Sequence, residues 1–291
     1  MVSPSARRRA ARYLVESKKC STNRACQTLG LAKSTFYRQG AVNQEGRRLE
    51  KRIKALSRKH ARYGYRLITA LLRKEGWRVN RKRVQRARRQ AQLQVVKKSR
   101  KTRRKGARQA QRMRAEQPRQ VWSYDFIHDQ LENGVSLKML TVLDEFTREC
   151  LGILVARSIT ASAVIDFLEI LILRHGAPEN VRSDNGPEFV AQTVQQWAQE
   201  AAIRINYIEP GSPWENGHVE SFHGKFRDDC LNREVFGNLL EATVVVEEWR
   251  RKYNEKRPHS ALGYETPRAF GRQFDSKLRV ATLPSALNRK R

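Results

Sequence analysis

Residues 120–157, QVWSYDFIHDQLENGVSLKMLTVLDEFTRECLGILVAR, decide the fold. QVWSYDFIHD and SLKMLTVLDEFT are runs rich in aromatic and branched apolar residues, split by the turn sequence Glu132-Asn133-Gly134, and CLGILVAR is a third such run. Three strands in meander order are predicted. The pattern then changes period. TASAVIDFLEILILRHG reads as an amphipathic helix closed by His175 and Gly176, and ENVRSD as a short fourth strand. EFVAQTVQQWAQEAA reads as a second helix and IRINYI as a fifth strand. SPWENGHVESFHGKFRDDC (212–230) follows as a further short helix.

The order β-β-β-α-β-α-β-α is that of the ribonuclease H-like fold, an α/β architecture with a mixed five-stranded sheet flanked by helices. It brings distant acids together. Asp125 lies inside the first strand, and Asp184 lies just past the fourth, where Asn185-Gly186-Pro187 forces a turn. Those two strands are neighbours in this fold, and the helix of 212–230 packs across their ends. At about 100° per residue, Asn216, Glu220, His223 and Arg227 share one face of that helix, beside an apolar stripe of Val219, Phe222 and Phe226. Among its four acids, Glu215 falls in the first turn and Asp228 and Asp229 at the far end, where capping or surface roles are expected. Glu220 is left as the acid that faces the strand ends. Asp129 and Asp144 are rival ligands at a turn and a strand end, and Glu188 reads as a helix-start charge.

Upstream of the strands the composition is different. Residues 1–120 carry 38 Lys and Arg against 5 Asp and Glu, a net of +33, while the remaining residues have a net of −3. So one-sided a charge calls for phosphate backbones as counter-charge. Segment 3–39 is patterned as three short helices, with Ser21 or Thr22 as a cap and Gly30 as a stop, which fits a helix-turn-helix with Ser34, Thr35 and Arg38 facing outward. A second helical unit carries Leu49, Ile53 and Leu56, then Leu67, Ile68, Leu71 and Leu72, at helical spacing. Gly76 ends it, and Asn80 caps an arginine-dense helix in which Arg81, Lys82, Arg83 and Arg86 are candidate phosphate or groove contacts. The divisions expected are a helix-turn-helix at 1–41, a second DNA-binding unit at 45–93, a basic linker at 94–118, a catalytic core at 119–236 and a C-terminal helix and tail at 237–291. An apolar content of 39% suits a folded core, and no run of about 18 apolar residues is present. A soluble, cytoplasmic, nucleoid-associated protein is expected, with its four scattered cysteines reduced.

WSYDF, SDNGPEF, SPWENGHVESFHGKFRDDCLN and YNEKRPHSALGYETPRAF together resemble the core of DDE transposases in the retroviral-integrase superfamily. The chain is most similar to the second-frame catalytic subunit of insertion-sequence family three, and the similarity extends upstream over RYGYRLITALLRKEGWRVNRKRV. It implies that Asp125, Asp184 and Glu220 are the catalytic, metal-binding triad, with Asp125 bridging. The physical reason stands beside it. Phosphodiester exchange needs a more anionic nucleophile, a neutralised pentacovalent centre and a stabilised leaving oxygen, which two Mg²⁺ ions about 3.5–4 Å apart in an all-oxygen cradle supply. Mn²⁺ is an expected substitute. The implied partners are double-stranded DNA at element ends and target, further copies of the chain on that DNA, and a first-frame helix-turn-helix protein or a fusion with it; no membrane is implied. Asn216, His223, Lys225 and Arg227 are expected to contact DNA. Two positions depart from the family pattern: His223 stands where Asn is usual, and His218 where an aromatic or aliphatic residue is common. A non-catalytic DNA-binding regulator and a structure-specific nuclease remain as alternatives, separable by Mg²⁺-stimulated nicking and by strand joining.

Overall fold

A computed structural model describes residues 3–37, 44–95, 114–184, 191–207 and 217–281, which divide into two compact units, 1–52 and 53–291. The first unit holds α1 (Pro4–Glu16), α2 (Thr22–Thr28) and α3 (Lys33–Tyr37) around Ala11, Ala25, Cys26, Leu31 and Phe36. Ser3 and Ser21 cap the first two helices by accepting the N–H of Ala6 and Arg24, which satisfies donors the helix cannot. Helix α4 (Gln44–Lys59) crosses the division and buries Leu49, Ile53 and Leu56 at spacings of four and three.

In the second unit, α5 (Tyr65–Lys74) buries Ile68 and Leu72 and stops at Gly76, whose φ of +89° favours glycine. Asn80 caps α6 (Arg81–Gln90) by accepting the Lys82 N–H, and Val84 is fully buried. The basic linker expected at 94–118 falls mostly outside the described residues.

The sheet contains β1 (Val121–Gln130), β2 (Ser136–Asp144), β3 (Cys150–Ala156), β4 (Asn180–Ser183) and β5 (Arg204–Tyr207), in the order β3-β2-β1-β4-β5. β1, β2 and β3 run antiparallel, and β4 and β5 lie parallel to β1. This is the mixed five-stranded sheet of the ribonuclease H-like fold. Because side chains alternate along a strand, Trp122 and Tyr124 point to one face and Ile127 to the other. The first face is covered by α7 (Ala161–His175) and α8 (Gln192–Glu200) through Val164, Leu168, Leu171 and Ala198. Gly152 lets α7 approach β3: a Cβ there would lie 2.7 Å from the Phe167 ring.

The second face is covered by α9 (Gly217–Phe226) and α10 (Leu239–Lys256). Val219, Phe222 and Phe226 form the buried stripe read from the sequence, packed with Val246 and Tyr253. After α10 come a short 3-10 turn at Ser260–Leu262 and α11 (Pro267–Ala281). No helix among the described residues is long and apolar enough to cross a membrane.

Candidate active site

Asp125 sits in the middle of the central strand, on the face that α9 covers, opposite Thr141 of β2. Its Oδ1 accepts the Phe126 N–H at 2.7 Å. Burial pushes its carboxyl up to about 7, and the neighbouring charges of Asp184 and then Glu220 push in the same direction against that hydrogen bond. Asp184 directly follows β4, the strand parallel to β1, and is exposed. Glu220 is exposed in the first turn of α9, on the side opposite its buried stripe. The carboxylates at the end of β4 and on α9 thus both act electrostatically on the one in β1. The turn Asn185-Gly186-Pro187, along with Glu188, lies outside the described residues, as do Glu215 and Asn216.

His223 is placed differently from the exposed DNA contact expected. Its side chain is only 13% exposed, and its Nδ1 lies 3.8 Å from Asp125 Oδ2. Thr141 Oγ1 donates to the Asp125 carbonyl at 3.1 Å, so the His223 Nε2 contact at 2.8 Å has nitrogen as donor and threonine oxygen as acceptor. Burial, followed by the charge of Arg227, lowers its pKa to about 4. A neutral imidazole with its proton on Nε2 therefore backs the Asp125 carboxylate. Helical phase places His223 beside Glu220 but does not reveal the Thr141 hydroxyl waiting opposite, and this turns the ring inward.

The start of α9 is tied down by residues that the sequence reading missed. Arg182 Nη1 donates to both Glu145 oxygens at 2.6 and 2.8 Å, and Ser123 Oγ donates to the same carboxylate. His218 Nε2 lies 3.9 Å from Glu145 Oε2, and its Nδ1 contacts Arg148 Nη1. An acid inside DEFT, at the end of an apolar strand, and an arginine inside the short strand ENVRSD were the available signal. Asp144, a rival ligand, accepts the N–H groups of Arg119, Phe146 and Thr147 and is a turn acid. Asp129 accepts its neighbour's N–H on Gln130.

The far end of α9 also departs from expectation. The helix passes into a π-helical turn at Arg227–Leu231, and the altered rotation turns Asp228 and Asp229 toward the protein. Asp228 binds Arg62 at 2.5 Å, and Asp229 binds Arg257. They fasten α9 to neighbouring segments instead of capping it. Arg227 is exposed and donates to the His128 carbonyl at 3.3 Å, whereas Lys225 is half-buried. In the closing motif, Asn254 holds both the N–H and the carbonyl of Cys150, and Tyr253 and His259 share a 2.9 Å hydrogen bond. Of the helical DNA-contact candidates, Ser34 and Thr35 lie on α3 and Arg81, Lys82, Arg83 and Arg86 on α6, while Arg38 is outside the described residues.

The donor set suits a divalent cation: oxygen only, with Asp125 raised first by burial and then by two like charges, both of which a cation would offset. Among the described residues, however, no three or more His, Cys, Asp or Glu side chains are gathered into a ready metal cluster.

Two models described as "Integrase core domain" match residues 115–213 and 201–267, and one described as "HTH-like domain" matches residues 44–101. These define the class: a DDE-type polynucleotidyl transferase with a DNA-binding helix-turn-helix-like region. A relative from Burkholderia multivorans, "Insertion element IS407 uncharacterized 31.7 kDa protein", is 40% identical over 86% of this chain and 90% of its own length. "Transposase InsD for insertion element IS2A/D/F/H/I/K" of Escherichia coli is 30% identical over 72% of this chain and 74% of its own. The chain belongs to the DDE transposases of insertion-sequence family three. A solved structure, the HTLV-2 integrase catalytic core domain in complex with magnesium (trimeric form), is similar over 54% of this chain and 99% of that one, with 19% identity and a TM-score of 0.42.

Proposed function

We propose that the chain binds the terminal inverted repeats of an insertion sequence and cuts and joins DNA strands there, with Asp125, Asp184 and Glu220 as its catalytic, metal-binding acids. The observation that carries this is Asp125 itself, a carboxyl 21% exposed in the central strand, beside the His223 ring and within the field of two further acids. Such a group is poorly suited to hold a fold together and well suited to receive positive charge. Two Mg²⁺ ions, or Mn²⁺ in their place, would supply the neutralising charge at the phosphorus and a more acidic attacking water or 3′-hydroxyl.

The protein's own residues set the positions. Thr141 and His223 fix Asp125 from behind, and Glu145, Arg148 and His218 hold the first turn of α9, so Glu220 projects from a rigid helix start. Arg81, Lys82, Arg83 and Arg86 on α6, Ser34 and Thr35 on α3, and Arg227, with Arg38 and Asn216, supply phosphate and base contacts that position the duplex without doing chemistry. Joining two ends requires two such sites, hence at least two copies on DNA. A first-frame helix-turn-helix product, separate or fused, is the further partner.

The test is a purified assay on duplex carrying the element's ends. Asp125→Asn, Asp184→Asn and Glu220→Gln should each lower Mg²⁺-dependent cleavage by roughly 1,000-fold or more with end binding retained. Normal cleavage by any one of them would remove that residue from the triad. Cutting with no joining by the unaltered protein would favour a nuclease instead.

A further inference from the structure

A cavity of about 530 Å³ is lined by the start of α5, by one side of α9 and by the segment after α10. From α9 it takes Gly217, His218, Ser221 and Lys225, a helix face next to the one that carries Glu220. Its charge is one-sided. Among the described residues that line it are Arg66, Arg148, Lys225 and Arg257, with no acidic side chain. Asp229 answers Arg257. Lys225 Nζ donates to the Ser221 carbonyl and hydroxyl at 2.9 and 2.8 Å and forms no ion pair among the described residues. Its pKa is lowered to about 8 by burial and then by Arg257 and Arg148. Cations gathered around one cavity make a favourable local field for an anion.

The remaining wall is aromatic, including Tyr65 and Tyr264. The Arg81 guanidinium lies 5.3 Å from the centre of the Tyr264 ring. A smaller cleft of about 220 Å³ shares Arg66 and Tyr264 with the cavity and reaches Arg73 and Arg81. Glu265 also lines this cleft, against three arginines, so a mainly basic track leads from the arginine-rich α6 to the helix that bears Glu220. The volume is in the range of a site for one small ligand, and phosphate-seeking cations beside an aromatic ring are how single strands are held.

We propose that this cavity receives one unpaired nucleotide of the DNA substrate, its phosphate drawn to Lys225 and Arg148 and its base laid on Tyr264. This rests on the DNA-processing reading above only in taking DNA as the substrate. It names a place for a base that has left the duplex, a requirement when a strand end must be separated from its complement.

The experiment compares, for the full chain, the affinity of one fluorescent duplex with and without a short unpaired tail, on either strand in turn. The unaltered protein should prefer one tailed form by about five- to 150-fold, the span of a single base stacked on an aromatic ring. Tyr264→Ala and Lys225→Gln should each reduce that ratio toward one, and Tyr264→Phe, which keeps the ring, should preserve it. Equal affinity for tailed and blunt duplex would overturn the inference, as would a ratio unchanged in both Tyr264→Ala and Lys225→Gln. Absence of binding to any duplex would overturn the functional reading as well.

Discussion

Two sets of carboxylates lie on the β1–β2 pair and its flanks, and they are treated in opposite ways. Near Trp122, Asp144 accepts three backbone N–H groups and Glu145 is clasped by Arg182 and Ser123. Near Thr141, Asp125 is half-buried, and it has the His223 ring beside it and the like charges of Asp184 and Glu220 acting on it. Buried charge is tolerated when paired and costly when it is not. The first set therefore serves the fold, and the second carries a repulsion that the fold has no use for. Acids of the same type, close together along one strand pair, are told apart by what surrounds them.

The sharpest way to break this distinction is to treat a structural acid as if it were dispensable. Glu145→Ala leaves the Arg182 guanidinium buried without its partner and should lower unfolding stability by about 3–5 kcal/mol, read by denaturant or thermal melting. A loss below about 1 kcal/mol would mean that Glu145 is not a structural acid in this sense. Asn254→Ala, which strands the Cys150 N–H and carbonyl where α10 meets β3, should cost about 1–3 kcal/mol in the same measurement.

A smaller effect concerns pH. The buried His259 has its pKa lowered to about 3, by burial and then by Lys225, so the folded protein keeps it neutral where the unfolded chain takes up a proton below about 6.5. Its contribution is complete above 6.5 and is lost as pH falls toward 3, with a limiting slope of about 1.4 kcal/mol per pH unit. Melting temperature should drop between pH 6.5 and 5, and the drop should be shallower in His259→Gln. Identical slopes would remove His259 from the acid response.

Much of this architecture is legible in the sequence, because it depends on period. The strands at Val121–Gln130 and Ser136–Asp144 alternate or run apolar, and Val219, Phe222 and Phe226 repeat at helical spacing, so the sheet and its covering helix follow from local pattern. What stays hidden depends on contacts across distance. The pairing of Asp125 with Thr141 is a matter of strand register, and it decides that His223 turns inward. Arg62 reaches Asp228 from 166 residues away, and the π-helical turn that presents Asp228 and Asp229 breaks the ideal phase used to read them. Arg182 and Glu145 are invisible as a pair until β4 lies beside β1. Strand order sets Asp125 and the end of the strand before Asp184 side by side, and the chemical roles of Asp125, Asp184 and Glu220 remain the proposal made for the site.

The most direct measurement pairs stability with activity in one variant. In chelated, metal-free buffer near pH 8, Asp125→Asn keeps the oxygen that accepts the Phe126 N–H while removing the repelled charge, and it should raise stability by roughly 0.5–2 kcal/mol. The same variant should lose Mg²⁺-dependent cleavage of end-containing duplex. An Asp125→Asn protein that is less stable than the unaltered chain, or that still cuts, would contradict the claim that Asp125 is held for function at the expense of the fold.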